Sequence, residues 1–415
     1  MMTRRRFLQT AMHSIITMGL GSLFSSHAAA AVENIRHLRQ IITAQPASTR
    51  MIQWDAPILL RDAYVELRSG KDGHTVSFTP ECTHFTMDDT EQFIFHAEIP
   101  LPKFGGTYRI VHSGGETAWI PLSVPRAYAP VRALLFSDSQ CGENYNIWNA
   151  VYQAAFQRHG DIDFAALIGD LTDNGESTWH WDNFFAAMEG EPSPLARIPH
   201  APALGNHEYY SLTWENVPPV RYLHTFVLPE NGSPAFRGHY YSFDLSVLHV
   251  IVLDTQFLEC GACGTALKEE QLDWLKRDAA ASHAPWKIVL MHKDILAYGE
   301  YQIDQQTHHG ISDVGHIFMD VFDALDIDLV VTGHVHAYRQ RQIRAHQTNP
   351  HGTLYLLAGP GGNEYFDVPA EIYDLAASPN PAPSNYLYME ADVHRLHICC
   401  ESLDGTVIDT IELRK

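Results

Sequence analysis

Five apolar segments of this chain each run directly into a short polar cluster, and this recurrence constrains the fold most. Three of these clusters open with glycine, as Gly169-Asp170, Gly205-Asn206 and Gly333-His334. Apolar residues at helical spacing separate the segments, over residues 145–156 and 314–325. Alternating strands and helices predict an α/β layered domain. Because ligands bind beyond the carboxyl ends of strands in such sheets, we expect the clusters to converge.

The polar clusters supply a mixed set of nitrogen and oxygen ligands. Its members are Asp138, Asp170, Asn206, His292, His334 and His336. Taken singly, each has an ordinary explanation, such as a solvated loop acid for Asp138 or a helix cap for Asp170. Taken together, they suit borderline divalent or trivalent metals. Two cations about 3.5–4 Å apart need a bridging carboxylate, and an aspartate can supply it.

Residues 34–124 have a different pattern, with short runs that alternate in polarity or contain β-branched residues. Examples are residues 50–54 and 107–111, and turn signals such as Asp72-Gly73 separate the runs. Strands at this spacing predict a small β-sandwich. A segment with two prolines, residues 124–130, is the predicted linker. We therefore assign residues 31–127 to an all-β domain and residues 131–415 to the α/β domain.

The first thirty residues have the pattern of a targeting segment. Arg4 and Arg5 precede Phe7-Leu8, a modest apolar run follows, and small residues end the segment. The arginine pair resembles a twin-arginine signal, with a plain secretory signal or an uncleaved anchor as the alternatives. The apolar run is too short and too polar for a span of about 20 residues. We expect a periplasmic or secreted protein that the twin-arginine machinery exports, without a membrane span in the mature chain.

The chain is strongly acidic, and this charge excludes whole classes of partner. It has 49 Asp and Glu against 28 Lys and Arg, which gives a formal net charge of −21. Such a surface repels phosphate backbones and anionic membranes. We therefore expect no nucleic-acid partner.

Six cysteines are present, and Cys260-x-x-Cys263 is the best candidate for a disulfide in an exported protein. A zinc site built from this pair and Cys399-Cys400 is the alternative. It is less favoured, because ligand pairs are usually separated by two to four residues.

Five motifs follow one another along residues 138–336. They are Asp138-x-Gln140, Gly169-Asp170-x-x-Asp173, Gly205-Asn206-His207-Glu208, His292 and Gly333-His334-x-His336. In order and spacing they resemble the motifs of calcineurin-like metallophosphoesterases, and most closely those of purple acid phosphatases. The resemblance covers about residues 34–365. It implies two packed β-sheets flanked by helices, preceded by a small fibronectin-III-like β-sandwich domain.

The same resemblance implies a dinuclear centre of Fe, Zn or Mn. It assigns the first metal to Asp138, Asp170 and His336. It assigns the second metal to Asp170, Asn206, His292 and His334, so that Asp170 bridges. Gln140 stands where other members carry His or Gly, and it is a fourth ligand candidate for the first metal through a neutral carbonyl oxygen.

Three histidines match residues that contact the phosphate or the leaving group, namely His207, His308 and His309. For His308 and His309 a polar surface loop is the alternative. His207 has an intrinsic pKa near 6.5, which suits a proton donor. Five aromatic residues could line the pocket and hold an aromatic leaving group, with ordinary loop packing as the alternative: Trp179, Trp181, Tyr209, Tyr210 and Tyr365.

These inferences predict an exported hydrolase of small-molecule phosphate esters. Paired cations acidify a water molecule for attack on phosphorus and clamp the phosphoryl oxygens. Phosphomonoesters are the preferred substrate class, and a phosphodiesterase or nucleotide-type phosphohydrolase is the alternative. The competing class is an inactive exported binding module. Asp173 occupies the position of the metal-binding tyrosine in purple acid phosphatases, so we predict a colourless enzyme that works with divalent ions.

Overall fold

The computed structural model describes residues 34–125, 129–300 and 306–415. The predicted signal segment and residues 126–128 of the predicted linker lie outside the described residues. The described part of the chain belongs to one compact unit, residues 32–415. Within it, every helix is too short or too polar to cross a lipid bilayer.

Nine strands precede the predicted linker in the described residues. They are β1 (Arg36–Ile41), β2 (Thr49–Ala56), β3 (Tyr64–Ser69), β4 (Thr75–Phe78), β5 (Glu81–Met87), β6 (Thr90–Pro100), β7 (Gly106–His112), β8 (Gly115–Glu116) and β9 (Ile120–Leu122). Strands β3, β4, β7, β8 and β9 form one sheet. Its apolar face, with Val65 and Ile110, packs on Trp54 and Phe95 of β2 and β6. The predicted small all-β sandwich is confirmed.

The rest of the chain alternates strands with helices, as the apolar pattern predicts. Its elements are β10 (Val131–Phe136), α1 (Asn146–Arg158), β11 (Phe164–Ile168), α2 (Thr178–Met188), α3 (Pro194–Arg197), β12 (Pro199–Ala203), α4 (Val220–Thr225), β13 (Tyr241–Leu245), β14 (Leu248–Leu253), α5 (Gly264–Ala281), β15 (Trp286–Met291), α6 (Asp313–Ala324), β16 (Leu329–Thr332), β17 (Arg339–Arg344), β18 (Gln347–Thr348), β19 (Thr353–Leu357), β20 (Ala376–Ala377), β21 (Asn385–Ala391), β22 (Arg395–Ser402) and β23 (Val407–Arg414).

Two large sheets form the α/β part. One has the strand order β23-β22-β21-β10-β11-β12-β1-β2-β6-β5, and the other has the order β13-β14-β15-β16-β19-β17-β18 with β20 beside β17. Leu134 and Leu167 of the first sheet share one buried core with Val250 and Val331 of the second. This confirms the predicted α/β class with two packed sheets.

Helices cover the outer faces of both sheets. Trp148 and Val151 of α1 join the core of the first sheet. Phe318 and Phe322 of α6 pack on the outer face of the second sheet, in a separate core. Ser312 caps α6, because its Oγ accepts a hydrogen bond from the Gly315 amide at 3.0 Å.

The first sheet contains strands from both sides of the predicted linker. Strand β1 pairs in parallel with β12, with Gln40 opposite Pro199 and Ile41 opposite His200. Strands β1, β2, β5 and β6 therefore extend the sheet that carries β10 to β12. The boundary between the two assigned domains stays a prediction.

Cys260 and Cys263 are bonded to each other, as predicted. They are therefore not available as thiolate ligands for the alternative zinc site with Cys399 and Cys400. Those two cysteines are free thiols in β22, and Cys400 is fully buried.

Candidate metal centre

The carboxyl ends of parallel strands from both sheets carry the predicted ligands. In the first sheet β10, β11 and β12 run parallel. In the second sheet β14, β15, β16 and β19 run parallel. Asp138, Asp170 and Asn206 follow strands of the first sheet, and His292 and His334 follow strands of the second.

Sharp backbone turns after the strands aim these side chains inward. Asp138, Asp170, His334 and His336 all have positive φ angles, between 49° and 78°. Non-glycine residues rarely adopt this conformation, and it recurs at functional sites where the surrounding structure enforces it.

The glycines before the predicted ligands allow the backbone to turn sharply and also allow neighbouring segments to approach closely. At Gly169 the φ angle is 75°, which favours glycine. At Gly205 the reason is space, because a Cβ there would collide with the backbone nitrogen and the carboxylate of Asp170. The sequence predicts sharp turns at both positions, and the structure adds steric exclusion at the second.

Two groups of ligand atoms meet at Asp170. Asp138, Asp170 and His336 form one group, and Asp170, His292 and His334 form the other. Within each group the ligand atoms lie within 4.8 Å of one another. A carboxylate shared by two groups is what a two-metal site needs.

The two amide side chains that are predicted as ligands lie next to the same groups. Asn206 Oδ1 is 3.2 Å from His292 Nε2. Gln140 has its carbonyl oxygen 3.0 Å from His336 Nε2 when its NH₂ group donates to the carbonyls of Asp138 and Asp170, at 3.3 and 3.1 Å. In that orientation the Gln140 oxygen faces the first group, while its role as a ligand stays a prediction.

Backbone carbonyls orient two of the histidines. His292 Nδ1 donates to the Ile168 carbonyl at 2.9 Å, and His336 Nδ1 donates to the Glu364 carbonyl at 2.8 Å. In both residues Nε2 then turns toward the aspartates, because the protonated nitrogen is occupied elsewhere. His292 Nε2 lies 3.0 Å from Asp170 Oδ2.

The electrostatics of the site favour added positive charge. Burial alone lowers the pKa of His292, but the Asp170 carboxylate outweighs it and the pKa rises to about 9. Conversely, burial raises the pKa of Asp170, and the charge of His292 and its neighbours brings it well below the usual range. Asp138 Oδ2 is buried without a hydrogen-bond partner. Cations would satisfy these groups, so the residues fit a dinuclear metal centre.

His207 stands beside the carboxylate that the two ligand groups share. Its Nδ1 donates to the Asp173 carbonyl at 2.7 Å, and its Nε2 lies 3.9 Å from Asp170 Oδ2. The side chain is 17% exposed. Burial lowers the pKa of His207, but the charge of Asp170 outweighs this effect and the net pKa is raised. A protonated ring that reaches the site from a fixed position can deliver a proton.

His308 and His309 lie beside residues 297–300, because the Gly299 amide donates to the His308 carbonyl at 2.7 Å and the Ala297 amide donates to the Gly310 carbonyl at 2.8 Å. His309 Nδ1 contacts Glu371 at 2.7 Å, and its side chain is 66% exposed. The His308 amide donates to the Glu300 carbonyl at 3.2 Å. Glu300 in turn has its carboxylate 3.0 Å from His334 Nε2. The segment that carries His308 therefore meets the site through Glu300, and direct roles for the two histidines stay predictions.

Sequence reasoning assigned no role to Glu208, although it follows His207 directly. Its buried carboxylate accepts hydrogen bonds from four backbone amides: Gly205 at 2.7 Å, Asp170 at 3.0 Å, Leu171 at 2.8 Å and Thr172 at 3.4 Å. It thereby joins the loops that carry Asn206 and Asp170. Only its burial distinguishes Glu208 from a surface acid, and burial cannot be read from the sequence.

Asp173 lies next to the ligand groups rather than in one. Its Oδ1 is 3.7 Å from His207 Nδ1, and its Oδ2 is 3.9 Å from His180 Nε2. These contacts support the prediction that Asp173 orients a neighbouring histidine.

The aromatic residues predicted to line the pocket divide into three sets. Trp181 and Tyr209 are fully buried core residues, so the prediction is wrong for them. Trp179 and Tyr365 are exposed. Tyr210 lies beside the site, because Asn206 Nδ2 donates to its hydroxyl at 3.2 Å. Position in a sequence does not reveal which face of a loop a ring covers.

Comparison with known proteins agrees with this geometry. The sequence model of the calcineurin-like phosphoesterase family matches residues 131–338. Purple acid phosphatase 18 of Arabidopsis thaliana is 25% identical over 308 residues, which cover 72% of this chain and 60% of that relative. The chain thus spans about 60% of the length of that curated relative.

Two solved structures share the fold. Purple acid phosphatase PPD1 from yellow lupin (Lupinus luteus) seeds has a TM-score of 0.73 at 19% identity, over 92% of this chain and 74% of that one. A structure of PhoD has a TM-score of 0.62 at 10% identity, over 93% and 90%.

Proposed function

The chain belongs to the calcineurin-like phosphoesterase family, and from this premise we propose that it hydrolyses phosphate esters at a dinuclear metal centre. The observation that carries the proposal is the sharing of Asp170 by the two ligand groups. When bound, two cations supply an acidified water and clamp the phosphoryl oxygens. Fe, Zn and Mn all suit this set of carboxylate, amide and imidazole donors.

The protein groups have separate tasks in this mechanism. Asp138 and Asp170 supply negative charge to the cations, and His292 and His336 are held with Nε2 inward by the carbonyls of Ile168 and Glu364. Glu208 keeps the Asp170 loop in register through its backbone hydrogen bonds. This arrangement holds the ligands before substrate arrives, so little reorganisation opposes the reaction.

His207 is the proposed proton donor to the leaving oxygen. Its Nδ1 is occupied by the Asp173 carbonyl, so Nε2 is the atom that can carry the transferred proton. The nearby carboxylates of Asp170 and Asp173 stabilise the protonated ring. We further propose that His308 and His309 contact the substrate.

Phosphomonoesters are the substrate class that we propose first, in keeping with relatives that are named acid phosphatases. Phosphodiesters are the second candidate, and the charge around the centre favours them. Lys293 Nζ is paired with Glu259 at 2.7 Å, and the carboxylates of Glu300 and Glu364 stand near the ligand histidines. A dianionic monoester needs more positive donors than a monoanionic diester.

The experiment compares 4-nitrophenyl phosphate with bis(4-nitrophenyl) phosphate, which share one leaving group. Purified protein is stripped of metal, reloaded with Mn²⁺, Zn²⁺ or Fe²⁺, and assayed with both esters. We expect activity to return with metal and to be lost in Asp170→Asn. Asp320→Asn, an exposed carboxylate on α6, is the matched control. No turnover of either ester by fully loaded protein would refute the proposal and leave an inactive binding module.

We also propose export through the twin-arginine machinery, which rests on Arg4 and Arg5 before Phe7-Leu8. Replacing both arginines by lysine should keep the protein in the cytoplasm. Arg6→Lys is the matched control, because it changes a neighbouring arginine outside the pair. Equal periplasmic amounts of the two variants would indicate an ordinary secretory signal.

A further inference from the structure

Exposed aromatic side chains gather around the metal-ligand set. Among the described residues, the exposed large apolar side chains include five aromatic rings: Phe104, Trp179, Trp214, Tyr365 and Phe366. Single exposed aromatic residues are normal on a protein surface. Here, however, Trp179, Trp214 and Phe366 each pack against a histidine in or beside the centre. We call these three side chains the aromatic rim.

Trp214 is the ring nearest to the proposed proton donor. Its centroid lies 6.2 Å from that of His207 at an interplanar angle of 89°, and the residue is 55% exposed. Tyr210 stands between them in contact with both, at 5.2 Å from His207 and 5.9 Å from Trp214. The indole therefore borders the place where the leaving group must lie.

The backbone holds Trp214 in this position against its intrinsic preference. Its φ angle is 64°, which a bulky residue rarely adopts. The Trp214 amide donates to the Ser211 carbonyl at 2.8 Å, and Ser211 Oγ accepts from the Glu215 amide at 3.1 Å. A tight turn thus presents the indole to solvent rather than to the core. Strain of this kind persists where the surrounding structure serves a function.

The other two rings border the same centre. Phe366 stacks on His336 with centroids 4.4 Å apart and an interplanar angle of 19°. Trp179 on α2 lies 4.8 Å from His180, whose Nε2 is 3.9 Å from Asp173. Each ring keeps close to half of its surface open.

We propose that the aromatic rim binds a planar aromatic group of the ester substrate while the phosphoryl group lies at the metal ligands. This inference rests on the proposed function and names its substrate class. Exposed indole and phenyl faces stack on flat rings, and the stacking tolerates different ring types. Aryl phosphates carry such a ring on the ester oxygen itself, and nucleoside phosphates carry one on the far side of the ribose.

The charge of the surroundings supports a neutral aromatic group over further anionic groups. Asp173 adds negative charge beside His207, and Glu300 adds negative charge beside the predicted ligand His334. The one lysine next to a ligand, Lys293, is paired with Glu259. A substrate with additional phosphates or carboxylates would meet repulsion here, whereas a neutral ring would not.

Two matched pairs of esters test the rim on the metal-loaded full chain. Adenosine 5′-monophosphate and ribose 5-phosphate share the primary alkoxide and differ by the base. 2-Naphthyl phosphate and phenyl phosphate have similar leaving groups and differ in ring area. We expect kcat/KM for the member with the larger ring system to be roughly tenfold higher in at least one pair, mainly through KM.

The variants separate the rim from general damage. Trp214→Ala should reduce that ratio to about 2 or less, and Trp214→Phe should keep most of it because a ring remains. Phe104→Ala removes an exposed aromatic side chain of the N-terminal β region and should leave the ratio unchanged. A preference in the adenosine pair alone identifies nucleoside phosphates as the substrate class, and a preference in the naphthyl pair alone identifies aryl phosphates.

Ratios near one in both pairs, or ratios that Trp214→Ala leaves intact, would overturn the inference. If no ester is hydrolysed, the proposed function fails, and the rim is judged by calorimetric binding of adenosine 5′-monophosphate and 2-naphthyl phosphate. Binding of either that Trp214→Ala weakens roughly tenfold supports the rim. Binding of neither, or binding equal in the two proteins, refutes it.

Discussion

Glu300 Oε2 lies 3.0 Å from Nε2 of His334, a member of the second ligand group. A carboxylate that accepts the proton of one ring nitrogen leaves the other nitrogen free for a cation. The Glu300 carbonyl also accepts a hydrogen bond from the His308 amide at 3.2 Å, so Glu300 joins the segment that carries His308 to the second ligand group. The relationship is invisible in the sequence, where 33 residues separate Glu300 from His334.

Glu300→Ala should therefore weaken metal binding at the second group by roughly 10–100-fold, and Glu300→Gln should have a smaller effect. The measurement is competition with a chelator of known affinity, read as metal retained per chain. Glu371→Ala is the matched control, because Glu371 pairs with His309 at 2.7 Å outside both ligand groups. Equal metal affinity in the Glu300 and Glu371 variants would contradict this role.

Asp170→Ala should abolish activity and the retention of both metals, because one carboxylate belongs to both ligand groups. Asp138→Ala removes a member of the first group alone and should leave one metal per chain. Elemental analysis of the purified variants gives the stoichiometry. Two metals retained by Asp170→Ala would rule out a bridging role.

His207→Ala should retain both metals and lose roughly 10²–10⁴ in rate for esters with poor leaving groups. With 4-nitrophenyl phosphate the loss should be smaller, since that leaving group needs little help from an acid. His394→Ala is a suitable control. His394 lies in the turn between β21 and β22, and it belongs to neither ligand group. A uniform small loss for all leaving groups would show that His207 does not donate the proton.

His249 makes a pH-dependent contribution to stability, away from the metal centre. Burial lowers the pKa of His249, but hydrogen bonds to Asp244 at 2.8 Å and Asp278 at 3.0 Å outweigh it and raise the pKa to about 9. Because the folded pKa exceeds the unfolded value near 6.5, the stabilisation is complete below pH 6.5 and is lost as pH rises through 9.

His249→Gln should therefore lower the free energy of unfolding by about 1–2 kcal/mol at pH 6, after allowance for solvent screening. Above pH 9, where His249 is neutral in the folded protein, the difference in free energy of unfolding between the variant and wild type should be smaller. Urea unfolding at several pH values measures it. A difference that stays constant from pH 6 to pH 10 would show that the ion pairs contribute nothing.

Because Asp173 stands at the position of the metal-binding tyrosine in purple acid phosphatases, it determines the visible spectrum expected of an iron-loaded form. The nearby phenols are those of Tyr145, which accepts a hydrogen bond from the Asp173 amide at 3.2 Å, and Tyr210 beside Asn206. Burial raises the pKa of both phenols, which disfavours a tyrosinate. The oxidised iron protein should lack a tyrosinate-to-iron band in its visible spectrum, and Asp173→Tyr should introduce one. A purple wild-type protein would show that another tyrosine binds the iron.

Local patterns predicted the elements well, since apolar spacing reports which face a segment buries. Residues 145–156 and 314–325 became α1 and α6 within two residues at each end. The predicted ligands also converge, because parallel strands bring their carboxyl ends to one edge. Periodicity did not predict that β1 pairs with β12, because pairing between distant strands depends on which edges remain open after folding.

The sequence by itself determined which residues are candidate ligands and in which order they occur, because strand ends, glycines and donor types are local properties of the chain. Only the tertiary structure decided which neighbours act on them. Glu208 is a backbone anchor and Glu300 a partner of His334 because of burial and contact, which arise between segments distant along the chain. The same applies to the rings, since Trp181 joined the core while Trp214 remained at the surface beside His207.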